Sequence, residues 1–167
     1  MERPKTQSDE TGGKRIAGWR EWLALPELGV DQIKAKLDTG ARTSALHAFD
    51  IEPFRRRGAD WVRFAVHPMQ RNDEFSLPAE AKVVDVRGVT NSGGASEARF
   101  FIETRVVLGG EAWPIEIGLT NRDEMGFRML LGRTAMKGHL VVDAARSFLI
   151  GKKKKSKTKA KAKEGDT

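Results

Sequence analysis

A short acidic loop near the middle of the first half of the chain carries the residues best suited to chemistry. Asp38 directly follows a predicted strand at residues 30–37, and Thr39, Gly40 and Ala41 come next. Glycine lets another backbone approach the carboxylate closely and permits a turn that places it at a rim. Threonine fixes such turns through its hydroxyl group. The simplest alternative is that Asp-Thr-Gly only ends a strand, and a tripeptide alone is too short to decide.

Two further features follow the acidic loop along the chain. The β-rich runs on either side of the polar, glycine-rich stretch TNSGGASE predict a long hairpin with a mobile tip. Closer to the carboxyl end, Leu130 and Leu131 meet Gly132, and residues 133–137 then read as a short helix. An acidic turn, a long hairpin and an apolar segment ending in glycine therefore occur in a fixed order.

Short strand patterns cover most of the chain and must position these features. Gly109 and Gly110 predict a two-residue turn, and Pro114 predicts an edge or a bulge. The pattern is typical of an all-β domain that is closed or sandwiched, with one short helix. Predicted strands lie at residues 20–25, 30–37, 61–67, 82–89, 98–108 and 112–119, and residues 140–142 and 147–150 are expected to form a closing hairpin.

The order of these features resembles that of the retropepsin-like aspartic peptidases, in which a D-T-G-A loop precedes a flap hairpin and a hydrophobic-hydrophobic-Gly segment that runs into a helix. The stretches KAKLDTGARTSALHA and MLLGRTAM are similar, more specifically, to a bacterial family labelled "ATP-dependent zinc protease". Members of that family are associated with enzymes that add glutamate to ribosomal protein S6. The resemblance covers residues 19–150. It implies a closed β-barrel of the acid protease type with a single lobe.

The resemblance also implies roles for individual residues. Asp38 would be the catalytic carboxylate, and residues 86–101 would be the flap over the substrate. The active-site loop would comprise Thr39, Gly40 and Ala41, and the supporting segment would comprise Leu130, Leu131, Gly132 and Arg133. The candidate substrate contacts are Arg42, Thr43, Arg87 and Gly88, although a surface arginine is more often simply solvated.

The chemistry of aspartic peptidases requires two carboxylates that share one proton. This chain has a single D-T-G, so the mechanism requires a homodimer in which each subunit supplies one Asp38. Asp123 and Glu124 are a second carboxylate source to consider, but a polar loop explains them equally well. Peptides or proteins are the expected substrates. Arg42, the basic tail and the association with S6 favour acidic or glutamate-rich ones.

The carboxyl-terminal segment is strongly basic. Residues 151–167 hold eight lysines and two acids, so most of the net charge of +7 lies there. With no apolar residue larger than alanine, this segment is expected to be a disordered tail, and residues 1–16 a disordered leader, on either side of a domain at residues 17–150. A polycation of this kind binds nucleic acid or the ribosome weakly and in a salt-dependent way. A non-catalytic binding module tethered by the tail is therefore the alternative function.

No cofactor is expected from the residues. Cysteine is absent, there is no HExxH, and the three histidines are widely separated, so a zinc metallopeptidase ranks lowest. No G-x-x-x-x-G-K-[ST] motif for nucleotide phosphates occurs. Residues 1–13 lack the apolar stretch of a secretory signal, and no apolar run is long enough for a membrane span. The expected location is the cytoplasm, with no membrane contact.

Overall fold

The fold is known from a computed structural model that describes residues 12–68, 76–90, 93–94, 96–121 and 126–153. Strands make up most of it, with a 3-10 helix at Pro26–Leu28 and one α-helix in the described residues, α1, at Arg133–Met136. The strands are β1 (Arg15–Gly18), β2 (Arg20–Leu25), β3 (Val30–Asp38), β4 (Ser44–His47), β5 (Phe49–Arg56), β6 (Ala59–Val66), β7 (Leu77–Thr90), β8 (Ser96–Leu108), β9 (Glu111–Thr120), β10 (Met129–Gly132) and β11 (Leu140–Asp143).

Six of these strands close into a barrel in the order β2-β3-β10-β4-β9-β8. The pairing of Ala24 with Val107 joins β8 back to β2 and completes the ring. Alternation along β3 buries Ile33 and Leu37 in the barrel interior, because successive side chains of a strand point to opposite faces. Val30 reaches the same core across a register shift in the β2–β3 pairing. The retropepsin-like closed barrel expected from the sequence is confirmed.

One edge of β8 is divided between two partners. Its first half, Ser96 to Ile102, pairs with β7 in a long antiparallel hairpin, and Val107 near its end pairs with β2. From β7 the sheet continues outward through β6 to β5, which forms the edge. The same strand therefore serves both the barrel wall and the hairpin that contains residues 86–101.

The expected turn between β8 and β9 is confirmed. Leu108 pairs with Glu111, and Gly109 and Gly110 both have positive φ angles, 59° and 86°, as a two-residue hairpin turn of this hand requires. Pro114 lies in the part of β9 that pairs with β8 alone, since β4 joins β9 only from Ile117 onward. The missing N–H of proline therefore costs no hydrogen bond to a second neighbour.

The expected closing hairpin at residues 140–142 and 147–150 is wrong. Strand β11 instead pairs in parallel with β1, and residues 147–150 form a strap without strand pairing. The strap is held by the fully buried carboxylate of Glu21, which accepts N–H bonds from Leu149 (2.9 Å), Ile150 (3.1 Å) and Gly151 (2.7 Å). Glu21 also accepts the N–H of Gly18 at 2.6 Å. A contact across so many residues leaves no local pattern in the sequence.

Four strands of the structure are absent from the expected set. Three of them, β1, β4 and β10, have only four residues each, and β5 is a largely exposed edge strand with weak alternation. The structure places Arg15 and Ile16 in β1 and buries Gly151, although the expected boundaries leave all three outside the domain. Within the described part of the chain, neither helix has the length or apolarity that a membrane span needs.

Candidate active site

Asp38 is the last residue of β3, and its carboxylate lies at the rim of the barrel, half-buried. The chain then folds back on it: the N–H of Gly40 donates to Asp38 Oδ1 at 2.9 Å, and the N–H of Ala41 donates to the Asp38 carbonyl at 3.2 Å. A Cβ on residue 40 would lie only 3.3 Å from that same Oδ1. Glycine at this position therefore keeps the carboxylate within reach of a backbone donor.

Strand β10 fits between β3 and β4 and brings the hydrophobic-hydrophobic-Gly segment beside the acidic loop. It pairs in parallel with β3, which places Gly132 opposite Asp38, and antiparallel with β4. Leu130 and Leu131 are both buried. The N–H of Gly132 donates to Ser44 Oγ at 2.9 Å. The predicted supporting segment and the predicted catalytic loop therefore share one sheet.

Helix α1 holds the loop from its other side. The N–H of Arg133 donates to the Ala41 carbonyl at 2.7 Å, and the N–H of Thr134 donates to the Arg42 carbonyl at 3.2 Å. The Arg133 side chain reaches the carbonyl of exposed Thr39, with Nη1 at 3.3 Å. Backbone bonds from α1 and the pairing with β10 thus fix the loop from two directions.

A cavity of about 630 Å³ lies between this loop, the β8–β9 sheet and α1. Arg42, Thr43 and Ser44 line it on the loop side, and Arg87 and Phe101 line it on the side of the long hairpin. Asp38 is not among the lining residues. The cavity is therefore adjacent to the candidate catalytic carboxylate rather than centred on it.

Arg87 is committed to contacts within its own sheet. Its guanidinium bonds Asp85 at 2.7 Å and Glu116 at 2.9 Å and lies over the Phe101 ring, 4.1 Å from its centroid. The hydrogen bond from Arg87, followed by that from the Val86 N–H, holds the pKa of Asp85 below its ordinary value. The same bonds to Asp85 and Glu116 raise the pKa of Arg87. Its charge is compensated, which weakens its candidacy as a substrate contact.

The other glycine and acidic residues considered for the site lie away from the cavity or outside the described residues. Gly88 lies in β7 opposite Ala98, exposed and away from the cavity lining. Asp123 and Glu124 lie outside the described residues. Asp143 accepts the N–H of Ala145 at 2.9 Å, and this turn contact accounts for its carboxylate.

The histidines do not converge on one site. The rings of His47 and His67 meet edge to face at 6.0 Å, whereas His139 stacks on Trp113 at 4.3 Å. In the described parts of the chain, no group of three or more histidine, aspartate or glutamate side chains is arranged to hold a metal ion.

Two residues that contribute to this region are not among the site residues predicted from the sequence. Ser44 supplies the buried hydroxyl that accepts the Gly132 N–H, and Lys137, just after α1, lines the cavity. A hydroxyl residue at the start of a strand gives no signal of its long-range partner. Lys137 follows a predicted helix, but only the folded chain brings it beside Arg42.

This chain is similar to several known proteins. A family model described as "Retropepsin-like aspartic endopeptidase RimB" matches residues 16–153. A protein of Shewanella pealeana named "Probable alpha-L-glutamate ligase" is 51% identical over 140 residues, which cover 84% of this chain and 31% of that protein. A protein with the same name from Desulfotalea psychrophila is 46% identical over 152 residues, 90% of this chain and 33% of that protein.

The chain thus spans about a third of the length of the curated relatives that it matches. Among solved structures, a Legionella pneumophila protein of unknown function has a TM-score of 0.67 and 28% identity. That match covers 81% of this chain and 97% of the Legionella chain. On the strength of the family match over most of its length, this chain belongs to the RimB-like family of retropepsin-like aspartic endopeptidases.

Proposed function

We propose that this protein is an aspartic-type endopeptidase that hydrolyses peptide bonds with two Asp38 carboxylates, one from each subunit of a homodimer. The observation that carries the proposal is the position of Asp38: it ends β3 at the rim, accepts the Gly40 N–H at 2.9 Å and lies opposite Gly132 of β10. A carboxylate held this way on rigid strands has a fixed direction, which a reaction with bound water requires.

The reaction follows from the charge of a carboxylate pair that shares one proton. The ionised Asp38 takes a proton from a water molecule, and the oxygen of that water attacks the peptide carbonyl carbon. The protonated Asp38 of the other subunit donates its proton to the carbonyl oxygen. When the tetrahedral intermediate collapses, the C–N bond breaks and the nitrogen takes a proton from the pair, leaving an acid and an amine.

The second copy has a candidate face beside the loop. Ile16 and Val141 are direct partners in the β1–β11 pairing and are 46% and 40% exposed. Val141 and Thr39 line the same cavity, of about 580 Å³. A two-stranded sheet that presents adjacent apolar side chains next to an incomplete active site favours contact with another copy of this chain.

Acidic or glutamate-rich peptides are the proposed substrates. The matched relatives are named "Probable alpha-L-glutamate ligase", and that name connects them with glutamate. Arg42 extends from the active-site loop into the cavity with no side-chain partner in the described residues. A cation in that position favours a negatively charged substrate.

The decisive experiment compares cleavage of a glutamate-rich peptide library by the wild type and by Asp38→Asn. Asparagine keeps the Oδ1 acceptor for the Gly40 N–H, so the loop should survive while cleavage is lost. Asp143→Asn is the matched control, because it alters a carboxylate in a turn and should leave the rate unchanged. A fully active Asp38→Asn protein would overturn the proposal, and loss of activity to EDTA would favour a metallopeptidase.

The lysine-rich tail supports the second candidate, a non-catalytic module tethered to RNA or the ribosome. Residues 152–167 contain eight lysines. Removing residues 152–167 should abolish salt-sensitive binding to RNA and leave cleavage of short peptides intact if the protein is a peptidase. RNA binding by both forms, with no cleavage by either, would exclude both the peptidase and a role for the tail.

A further inference from the structure

We propose that Arg42 and Lys137 together form a subsite that binds a carboxylate of the substrate, beside the Asp38 loop. This inference rests on the proposed peptidase function and deepens it, because it assigns substrate selection to two residues. It also separates them from Arg87, whose charge is already compensated by Asp85 and Glu116.

Both cations border the same space. Arg42 and Lys137 line the cavity of about 630 Å³ between the active-site loop and the β8–β9 sheet. They also line the neighbouring cavity of about 580 Å³ that reaches Thr39. The two side chains therefore lie at the border between the two cavities, beside the candidate catalytic loop.

Neither cation is paired with an anionic side chain within the described residues. The side chains of Arg42 and Lys137 form no ion pair or hydrogen bond there, whereas other arginines do: Arg15 pairs with Glu111, Arg55 with Asp60 and Arg99 with Glu97. Two adjacent cations that remain uncompensated beside a cavity produce a local positive potential, and a ligand carboxylate would relieve it.

The opposite wall of the cavity carries the acids. Glu103 and Glu116 are direct cross-strand partners on β8 and β9, and Arg87 neutralises Glu116 at 2.9 Å. Glu103 makes no ion pair with Arg42 or Lys137. A bound chain would therefore direct its acidic group toward the loop and α1, away from the β8–β9 wall.

The backbone under the subsite is rigid. The Arg42 carbonyl accepts the N–H of Thr134 at 3.2 Å, and the N–H of Lys137 donates to the Arg133 carbonyl at 3.0 Å. These backbone bonds fix the main-chain positions from which the two cationic side chains extend. An arginine fork and a lysine ammonium on one rigid support suit the two oxygens of a single carboxylate.

Apolar surface completes the site. Trp113 is buried with its ring stacked on His139, and both line the cavity with Phe101. A carboxylate on a short apolar stem satisfies both surfaces at once. The side chain of an internal glutamate and the carboxylate at the end of a peptide chain share this chemistry, and the experiment must separate them.

The test uses the full chain and one cleavable glutamate peptide in four forms: unmodified, with all of its glutamates changed to glutamine, with an amidated carboxyl end, and with both changes. Each is assayed with the wild type, Arg42→Gln, Lys137→Gln and the double variant. Arg146→Gln is the control, since Arg146 is an exposed cation that lines neither cavity. Thermal unfolding checks that all variants are folded.

We expect kcat/KM of the unmodified peptide to fall about 10- to 100-fold in each single variant and to stay within about threefold of wild type in Arg146→Gln. On the peptide that lacks the recognised carboxylate, all five proteins should agree within about threefold. If the glutamine substitutions make the kcat/KM values of the five proteins equal, the subsite binds a glutamate side chain. If amidation makes them equal, the subsite binds the carboxylate at the end of the chain.

The inference and the proposed function fail in different ways. If Asp38→Asn is inactive but Arg42→Gln and Lys137→Gln keep the full wild-type preference, the subsite is wrong and the peptidase stands. If no protein cleaves any peptide, fluorescence anisotropy of the labelled peptides decides the subsite. Equal affinities of wild type and double variant for the unmodified peptide would then overturn it.

Discussion

Gly132 lies directly opposite Asp38 in the parallel pairing of β10 with β3, and a Cβ at residue 132 would lie 2.5 Å from the carbonyl carbon and oxygen of Thr43. That distance is shorter than any non-bonded carbon contact allows. Glycine at residue 132 therefore lets β10, which pairs with the strand of the candidate catalytic carboxylate, lie close to the backbone of Thr43.

Gly132→Ala should lower the free energy of unfolding by about 1–3 kcal/mol, because the loop must move to admit the methyl group. The same movement should also reduce the rate of peptide cleavage. Urea unfolding and kcat/KM on one peptide measure the two effects. Gly88→Ala is the stability control, since a Cβ there meets nothing within 4 Å. Equal unfolding free energies for the two variants would contradict the prediction.

Glu21 should be among the most sensitive carboxylates of the described fold. Four backbone N–H groups, from Gly18 and from residues 149–151, donate to its two buried oxygens. Glu21→Gln removes the charge and places an NH2 group against donors, which should cost about 3 kcal/mol. Hydrogen exchange should show loss of protection at the strap amides.

The matched control for that variant is Glu111→Gln. Glu111 is a half-exposed carboxylate paired with Arg15 at 2.8 Å. Its loss should change the free energy of unfolding by less than about 1 kcal/mol. If Glu111→Gln is as destabilising as Glu21→Gln, the buried N–H contacts do not carry the effect.

The apolar pair on the β1–β11 sheet gives a test of assembly. Ile16→Asp combined with Val141→Asp should convert a dimer to a monomer and abolish cleavage at low protein concentration, because two charges would face the partner copy. Analytical ultracentrifugation measures the mass. Val84→Asp alters a valine that is 47% exposed on β7 and should leave the dimer intact. A wild-type protein that is monomeric at every concentration would refute the shared active site.

Glu80 links stability to pH. Hydrogen bonds from Arg56 and then Arg63 hold the pKa of Glu80 below its ordinary value of 4.5. A depressed folded-state pKa adds stability that is present above the unfolded-state value and is lost as the pH falls through the folded-state value. The Tm of wild type should therefore fall more steeply below pH 4.5 than that of Glu80→Gln.

The paired arginines provide the check on that assignment. In a protein with both Arg56→Gln and Arg63→Gln, the further change Glu80→Gln should no longer alter the slope of Tm against pH, because the pKa of Glu80 would return toward its ordinary value. If Glu80→Gln flattens the slope equally in both backgrounds, the arginines are not the cause.

Local patterns were sufficient for the elements whose signals are local. The alternation in β3, the paired glycines after β8 and the apolar run before Gly132 each depend on neighbours in the chain, and all three match the structure. The D-T-G-A loop was recognisable only together with the hairpin and the hydrophobic-hydrophobic-Gly segment that follow it, because their order resembles that of a known family.

Long-range contacts were not predictable in the same way. The strap at residues 147–150 has the composition of a strand, but the buried carboxylate of Glu21 takes its donors. Arg87 looked available to a substrate, whereas the fold brings Glu116 to it from a separate strand. Lys137 lines the same cavity as Arg42 because backbone hydrogen bonds hold α1 against the loop. In each case the partner lies far away in the sequence.

The divided edge of β8 has a mechanical consequence. Because β8 pairs with β7 along Ser96 to Ile102 and with β2 at Val107, the paired part of the hairpin is a continuation of the barrel wall. The register of β7 shifts between Val83 and Asp85, just before this change of partner. We expect the hairpin to tilt there as a stiff lever, so that movement over a bound peptide is transmitted directly to the strands beneath it.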